Sequence, residues 1–153
     1  MNQPKLLNKK IIISAAADGI GWSIAQACMS NGALVYLTDK NNEALEKISK
    51  HDLYEKQLFL DRVDTKNTQE VENYFIKIKD KLNSIDALIN NVGIAGPTGK
   101  LEDLDIKDWQ ETIDININSY FYYSKHSIPL LKNRKGGSII NLSSTAGLFG
   151  FPL

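Results

Sequence analysis

Short apolar runs and amphipathic stretches alternate along this chain. Continuous apolar runs read as strands at Ile11–Ala15, Leu34–Leu37, Gln57–Val63, Ala87–Asn90 and Ser138–Leu142. Between them, apolar positions recur at helical spacing. They predict helices over Gly19–Ser30, Asn42–Lys50, Thr68–Lys81 and a long one from Asp105 to about Leu131. Asn41 or Asn42 caps the second helix. Asn67 or Thr68 caps the third, with Glu70 in its first turn. Pro129 lies inside the long helical pattern and predicts a kink or an end there, and Gly136-Gly137 breaks the chain before the last strand. Strict β/α alternation implies an α/β fold: a doubly wound parallel sheet with right-handed crossovers and helices on both faces. Runs such as Ile11-Ile12-Ile13 lack polar alternation, as strands covered on both faces do.

Composition narrows the class. The 153 residues suit one domain with a real core. Eighteen basic residues balance eighteen acidic ones, which argues against a nucleic-acid partner. No run approaches the roughly 18 apolar residues of a membrane span, and Met1 to Lys10 does not read as a signal peptide. The lone Cys28 forms no internal disulfide; it fits a reducing, cytoplasmic setting and reads as a small core residue.

The chemistry begins at Ser14-Ala15-Ala16-Ala17-Asp18-Gly19-Ile20-Gly21, between the first strand and the first helix. A glycine turn opening a helix lets backbone N–H groups meet a phosphate closely. Such a turn also occurs for packing alone. Asp39 ends the second strand 18 residues after Gly21, near the roughly 20-residue spacing of a ribose-binding carboxylate. Alone it reads as a solvated turn residue. A carboxylate there accepts from ribose hydroxyls and repels a 2′-phosphate, and Asp18 adds to that repulsion. Lys40 acts the other way. The balance favours NAD, with NADP the less favoured cofactor. Asp64 ends the third strand, where it borders an adenine or serves the turn before the next helix.

Two further strand ends complete a pattern: Asn90-Asn91-Val92-Gly93 after the fourth strand and Asn141-Leu142-Ser143-Ser144 after the fifth. With Ser14–Gly21 they resemble the short-chain dehydrogenase/reductase family of classical type, from about Lys9 to Leu153. The resemblance implies a Rossmann-like NAD(P)-binding domain and hydride transfer between the nicotinamide and an alcohol or ketone. It implies that the loop with Ser14, Ala15, Asp18, Gly19, Ile20 and Gly21 holds the pyrophosphate. Asp39 then binds the ribose, Asp64 with Thr65 borders the adenine, and the run Asn90, Asn91, Val92 and Gly93 stabilises the central sheet and lines the cofactor. Asn116 matches the helix asparagine that kinks the long helix and holds a water of the proton relay. Ser144 matches the serine that hydrogen-bonds the substrate oxygen. No metal is implied, and the intact parent is expected to be a homo-oligomer.

Departures from that pattern carry expectations of their own. Ala15 stands where the family has glycine, and its methyl disfavours a positive φ. The family's Tyr-x-x-x-Lys helix is not in the sequence, and none of the six tyrosines substitutes for it by motif. The chain is therefore expected to be an N-terminal portion, residues 1–153, incomplete at its C-terminal end and inactive alone, with its last strand an exposed edge. A catalytically dead NAD-binding module is the alternative. A methyltransferase also places a carboxylate after its second strand, but Asn90–Gly93 and Ser143-Ser144 argue against it.

Overall fold

The computed structural model describes residues 5–134 and 136–149. Five strands alternate with helices in the predicted order: β1 (Lys10–Ser14), β2 (Leu34–Asp39), β3 (Leu58–Arg62), β4 (Ala87–Asn90) and β5 (Ser138–Asn141). All pair in parallel, in the order β3-β2-β1-β4-β5. The helices are α1 (Gly19–Ser30), α2 (Asn42–Ile48), α3 (Thr68–Lys81), α4 (Ile106–Ile113) and α5 (Ser119–Lys132).

The strand pleat divides the apolar residues between two cores. Ile11, Ile13, Val35, Leu37 and Ile89 face Ala25, Cys28 and Met29 of α1 and Leu45 and Ile48 of α2. Ile12, Tyr36 and Leu88 face the other way, toward Val71, Phe75 and Ile78 of α3 and Tyr123, Leu130 and Leu131 of α5. Each fully buried aliphatic side chain contributes about 1.5–3 kcal/mol. Cys28 is the core residue its neighbours predict, and burial pushes its thiol pKa up.

Local signals explain the boundaries. Asn41 caps α2 by accepting from the Ala44 N–H at 3.2 Å. Asn67 caps α3 by accepting from Gln69 and Glu70. Glu70 reaches back to the Asn67 amide, the Asp64 N–H and the Arg62 guanidinium, so Asp64 does not cap that helix. The predicted long helix is continuous from Ile106 to Lys132 but changes pitch: Asp114–Asn118 form one π-helical turn between α4 and α5. Pro129 sits inside α5 without ending it; the helix runs on to Lys132.

β1 stops one residue short of its predicted end because Ala15 turns left-handed, with φ +49°. β5 is exposed along its whole length, as expected of an uncovered edge. No helix among the described residues is long and apolar enough to cross a membrane.

Candidate functional site

The sheet runs away from β1 in one direction through β2 and β3, and in the other through β4 and β5. Crevices beyond the strand ends form where the order reverses in this way. A cleft of about 320 Å³ lies there. The β1–α1 turn lines it with Ala15, Asp18, Ile20 and Gly21. The loops after the next three strands add Asp39 and Lys40, Asp64 and Thr65, and Asn91 to Ile94.

The turn is built around two left-handed residues, Ala15 and Gly19 (φ +56°). Glycine takes that conformation freely, whereas for alanine it costs roughly 1–2 kcal/mol. A β-carbon on Gly19 would meet nothing within 4 Å, so its backbone angle, not crowding by protein, calls for glycine. Gly21 is different. A β-carbon there would lie 2.5 Å from Asn91 Nδ2 and 2.7 Å from Ala16 Cα. Its glycine serves the packing of α1 onto the strand ends. Asp18 caps α1 by accepting from the Gly19 N–H at 2.7 Å. The N–H groups of Ile20 and Gly21 find no acceptor among the described residues. Free donors at a helix start, beside a cleft, suit an anion.

Asp39 is held from two sides. One carboxylate oxygen accepts from the Ala17 N–H at 3.0 Å, the other from the Asn41 N–H at 2.9 Å. The carboxylate is thus oriented by the turn it faces, and each oxygen keeps a further lone pair. Asp64 Oδ1 accepts from the Lys66 N–H at 3.2 Å, and Thr65 is buried beside it. Lys66 reaches across to Glu111 of α4 at 2.7 Å, bridging the loop after β3 to that helix. The Glu111 carboxyl lies below its usual pKa because Lys66 donates to it and attracts it.

A second cavity of about 510 Å³ adjoins the first and shares Ile20 and Asn91 to Ile94 with it. It contains Asn116 and Ser144, the two predicted catalytic residues. Asn116 lies in the π turn. Its side chain accepts from the Ile94 N–H at 2.9 Å and donates to the Ile94 carbonyl at 2.8 Å. Ser144 Oγ accepts from the Ala146 N–H at 3.2 Å, and its hydroxyl proton has no acceptor among the described residues.

Two predicted cofactor residues lie behind the cleft. Ser14 is buried, and its Oγ accepts from the Asn91 N–H at 3.1 Å. Asn90 is buried on β4 and donates to Asn141 of β5 at 2.8 Å and to Ser124 of α5 at 3.3 Å. Both support the loops that line the cleft.

Two tyrosine hydroxyls, those of Tyr120 and Tyr123, are engaged within the fold. Among the described residues, Tyr120 is the one titratable side chain lining the second cavity. Its hydroxyl lies 3.0 Å from both the Val92 and Leu142 carbonyls, which share its single proton. Tyr123 bonds Thr38 at 2.8 Å. Burial raises the phenol pKa of Tyr36, Tyr74, Tyr120 and Tyr123. None of these four is poised as a base near neutral pH. Among the described residues no cluster of three His, Cys, Asp or Glu side chains could hold a metal ion.

Asn91, within the Asn90–Gly93 run expected to line the cofactor, lines both cavities. It also joins the β4 loop to the β1 turn, a role the sequence pattern does not show: Nδ2 donates to the Ser14 carbonyl at 3.2 Å and the Ala15 carbonyl at 2.6 Å.

Comparison with known proteins agrees with this geometry. Residues 9–153 match the family model described as short chain dehydrogenase. The chain is 33% identical over 146 residues to a 3beta-hydroxysteroid dehydrogenase of Mediterraneibacter gnavus, covering 94% of this chain and 52% of that protein. It is 32% identical over 158 residues to a cyclohexanol dehydrogenase of Acinetobacter, covering 95% and 59%. The solved structure of ElxO with NADP bound superposes with a TM-score of 0.86 at 28% identity, over 95% of this chain and 59% of that one. The chain thus spans little more than half the length of these relatives. With its parallel sheet, its switch-point cleft and a family match over residues 9–153, the chain belongs to the short-chain dehydrogenase family.

Proposed function

We propose that this chain forms the dinucleotide-binding part of an NAD(P)-dependent oxidoreductase acting on a secondary alcohol or the matching ketone. One observation carries the reading: two adjoining cavities run from Asp39, past the free N–H groups at the α1 start, to Ser144. That arrangement suits a ligand with a ribose at one end, a pyrophosphate in the middle and a reacting ring at the other.

The roles follow residue by residue. The Ile20 and Gly21 N–H groups receive the pyrophosphate, with Gly19 leaving open space and Ala15 and Asp18 shaping the turn. Asp39 accepts from the adenosine ribose hydroxyls. Asp64 and Thr65 border the adenine, and Val92 and Gly93 line the path to the second cavity. Ser14 and Asn90 hold the loops from behind. When bound, the nicotinamide would supply or take up the hydride. Ser144 donates its hydroxyl proton to the substrate oxygen and orients the carbinol carbon. Asn116, tied to Ile94, keeps the π turn and the second cavity in shape.

Asp39 and Asp18 favour NAD, because a 2′-phosphate would face two carboxylates. ElxO holds NADP, so the preference is a question for measurement. Titration with NADH and NADPH, read by nucleotide fluorescence, tests both points. We expect NADH to bind more tightly, by about tenfold, the worth of roughly 1.4 kcal/mol. Failure of both to bind at millimolar concentration, or binding of S-adenosylmethionine in their place, sinks the reading.

A second reading, a module that binds NAD without turnover, is favoured by the second cavity's lining. Its one titratable side chain among the described residues, Tyr120, is committed to two carbonyls. Lack of a positioned acid or base costs about 10² to 10⁴ in rate. Binding of NADH with no oxidation of secondary alcohols by this chain supports it. The exposed apolar residues Ile106, Trp109, Ile117 and Phe121 on α4, the π turn and α5 suit a homo-oligomer of the whole protein.

A further inference from the structure

Ala15 occupies a backbone conformation that its own β-carbon resists, and the surroundings hold it there. The peptide joining Ala15 to Ala16 is gripped at both ends. Its carbonyl accepts from Asn91 Nδ2 at 2.6 Å, and its N–H donates to the Thr38 carbonyl at 3.1 Å. The preceding carbonyl, that of Ser14, accepts from the same Asn91 amide at 3.2 Å. Successive carbonyls of an extended chain point to opposite sides, so one amide reaches both only where the chain turns between them. The Asn91 backbone N–H adds a third bond, to Ser14 Oγ. The space Asn91 Nδ2 occupies exists because Gly21 carries no side chain.

We propose that Asn91 is a positioning residue that holds Ala15 left-handed, and that nucleotide affinity in this chain runs through that clamp. Asn91 does for alanine what glycine at position 15 would do unaided. The affinity part rests on the dinucleotide reading above; the backbone part does not. Both N–H groups of the Asn91 amide are used in the clamp, which leaves only its oxygen for any bound molecule. The role is therefore to shape the turn, at one remove from the ligand.

A double-mutant cycle in the full 153-residue chain tests this. The four proteins are the natural chain, Asn91→Ser, Ala15→Gly and the double variant. Serine removes the amide but keeps the backbone N–H bond to Ser14. NADH affinity and the thermal midpoint are read for each. With Ala15 present, loss of Asn91 is expected to weaken NADH about tenfold; in the Ala15→Gly background, by less than about twofold, as coupled neighbours do. Equal losses in both backgrounds overturn the proposal. If Asn91→Ser does not fold, Ala15→Gly alone decides. It is expected to raise the midpoint by a few degrees, roughly what relief of one left-handed alanine gives, and a lowered midpoint overturns the clamp. If no variant binds NADH or NADPH, the dinucleotide reading fails. The clamp is then judged on thermal midpoints, where non-additive shifts support it and additive shifts overturn it.

Discussion

β1 and β5 are alike in plan and unlike in support. Both pair in parallel with β4, and both lead into a loop that lines the cavities at the same end of the sheet. β1 has a second neighbour, β2, and its Ile11 to Ser14 are all buried. Among the described residues β5 has β4 alone; Ile139 is 39% and Ile140 49% exposed. The β1 turn is welded by Asn91, Thr38 and Asp39, all within the chain. The Ser144 loop hangs from the Leu142–Asn90 ladder bond, the Asn90–Asn141 pair and the Tyr120 hydroxyl. The loop after β1 is thus braced from several sides. Among the described residues, the loop after β5 is held along one side.

Three substitutions probe that contrast. The largest effect is expected at Gly21. Gly21→Ala forces a β-carbon to within 2.5 Å of Asn91 Nδ2 and 2.7 Å of the Ala16 backbone. Overpacking against backbone should cost about 3 kcal/mol and abolish nucleotide binding, as urea unfolding and NADH titration would read. A loss below about 1 kcal/mol, an ordinary surface effect, would mean that the turn is looser than its bonds suggest.

Asp86 serves both sides of the comparison. Its carboxylate accepts from the Lys10 N–H at 2.9 Å and pairs with Lys9 at 3.0 Å and Arg134 at 2.7 Å. Burial by itself would raise its pKa, but the Lys10 N–H, Lys9 and Arg134 together outweigh burial and hold it below the ordinary value. A depressed carboxylate stabilises the fold above the unfolded-state pKa, about 4. That stability is lost as the pH falls through the lower folded value. Asp86→Asn should cost about 2 kcal/mol at neutral pH, the worth of bonds to a charged group. It should also flatten the fall in stability between neutral pH and strong acid. An unchanged acid limb would show that the carboxylate does not carry it.

The smallest effect is the most local. Tyr120→Phe removes the hydroxyl that joins the Val92 and Leu142 carbonyls. It should cost about 1 kcal/mol and speed amide exchange in residues 142–147 while leaving β1 protected. Equal acceleration in both regions would erase the distinction between them.

The same asymmetry decides what was legible in the sequence. The alternation of apolar runs is a local property, so all five strands could be read directly, and the caps could be narrowed to Asn41 or Asn42 and to Asn67 or Thr68, of which Asn41 and Asn67 serve. The end of β1 and the pitch of the long helix depend on partners far away in sequence, and apolar spacing alone shows neither; the kink at Asn116 is expected only through the family resemblance. Ala15 leaves the strand because Asn91, 76 residues on, holds its carbonyl. The helix changes pitch where Asn116 bonds Ile94, 22 residues before it. Cleft residues such as Asp39 could be read because they sit at strand ends. Gly21 was read as a glycine for close approach to a phosphate, and its tight contacts are with Asn91 and Ala16. No spacing rule separates those two needs, since both ask only for a missing side chain.

The π turn at Asp114–Asn118 works as a phase shifter. An α-helix advances about 100° per residue, and a π turn inserts extra length without breaking the rod. Before it, Trp109 faces outward; after it, Tyr123 is seated in the core against Phe75 and bonded to Thr38. A π turn holds one residue more than an α turn, so deleting a single residue within 114–118 would restore regular pitch while leaving α4 and α5 on their present faces, with Tyr123 still in the core. What the deletion would remove is the slack that lets Asn116 reach both backbone groups of Ile94. A residue added within α4 or α5 would instead swing the downstream face by about 100°, so changes in length should be accepted more readily at this turn than elsewhere along the rod.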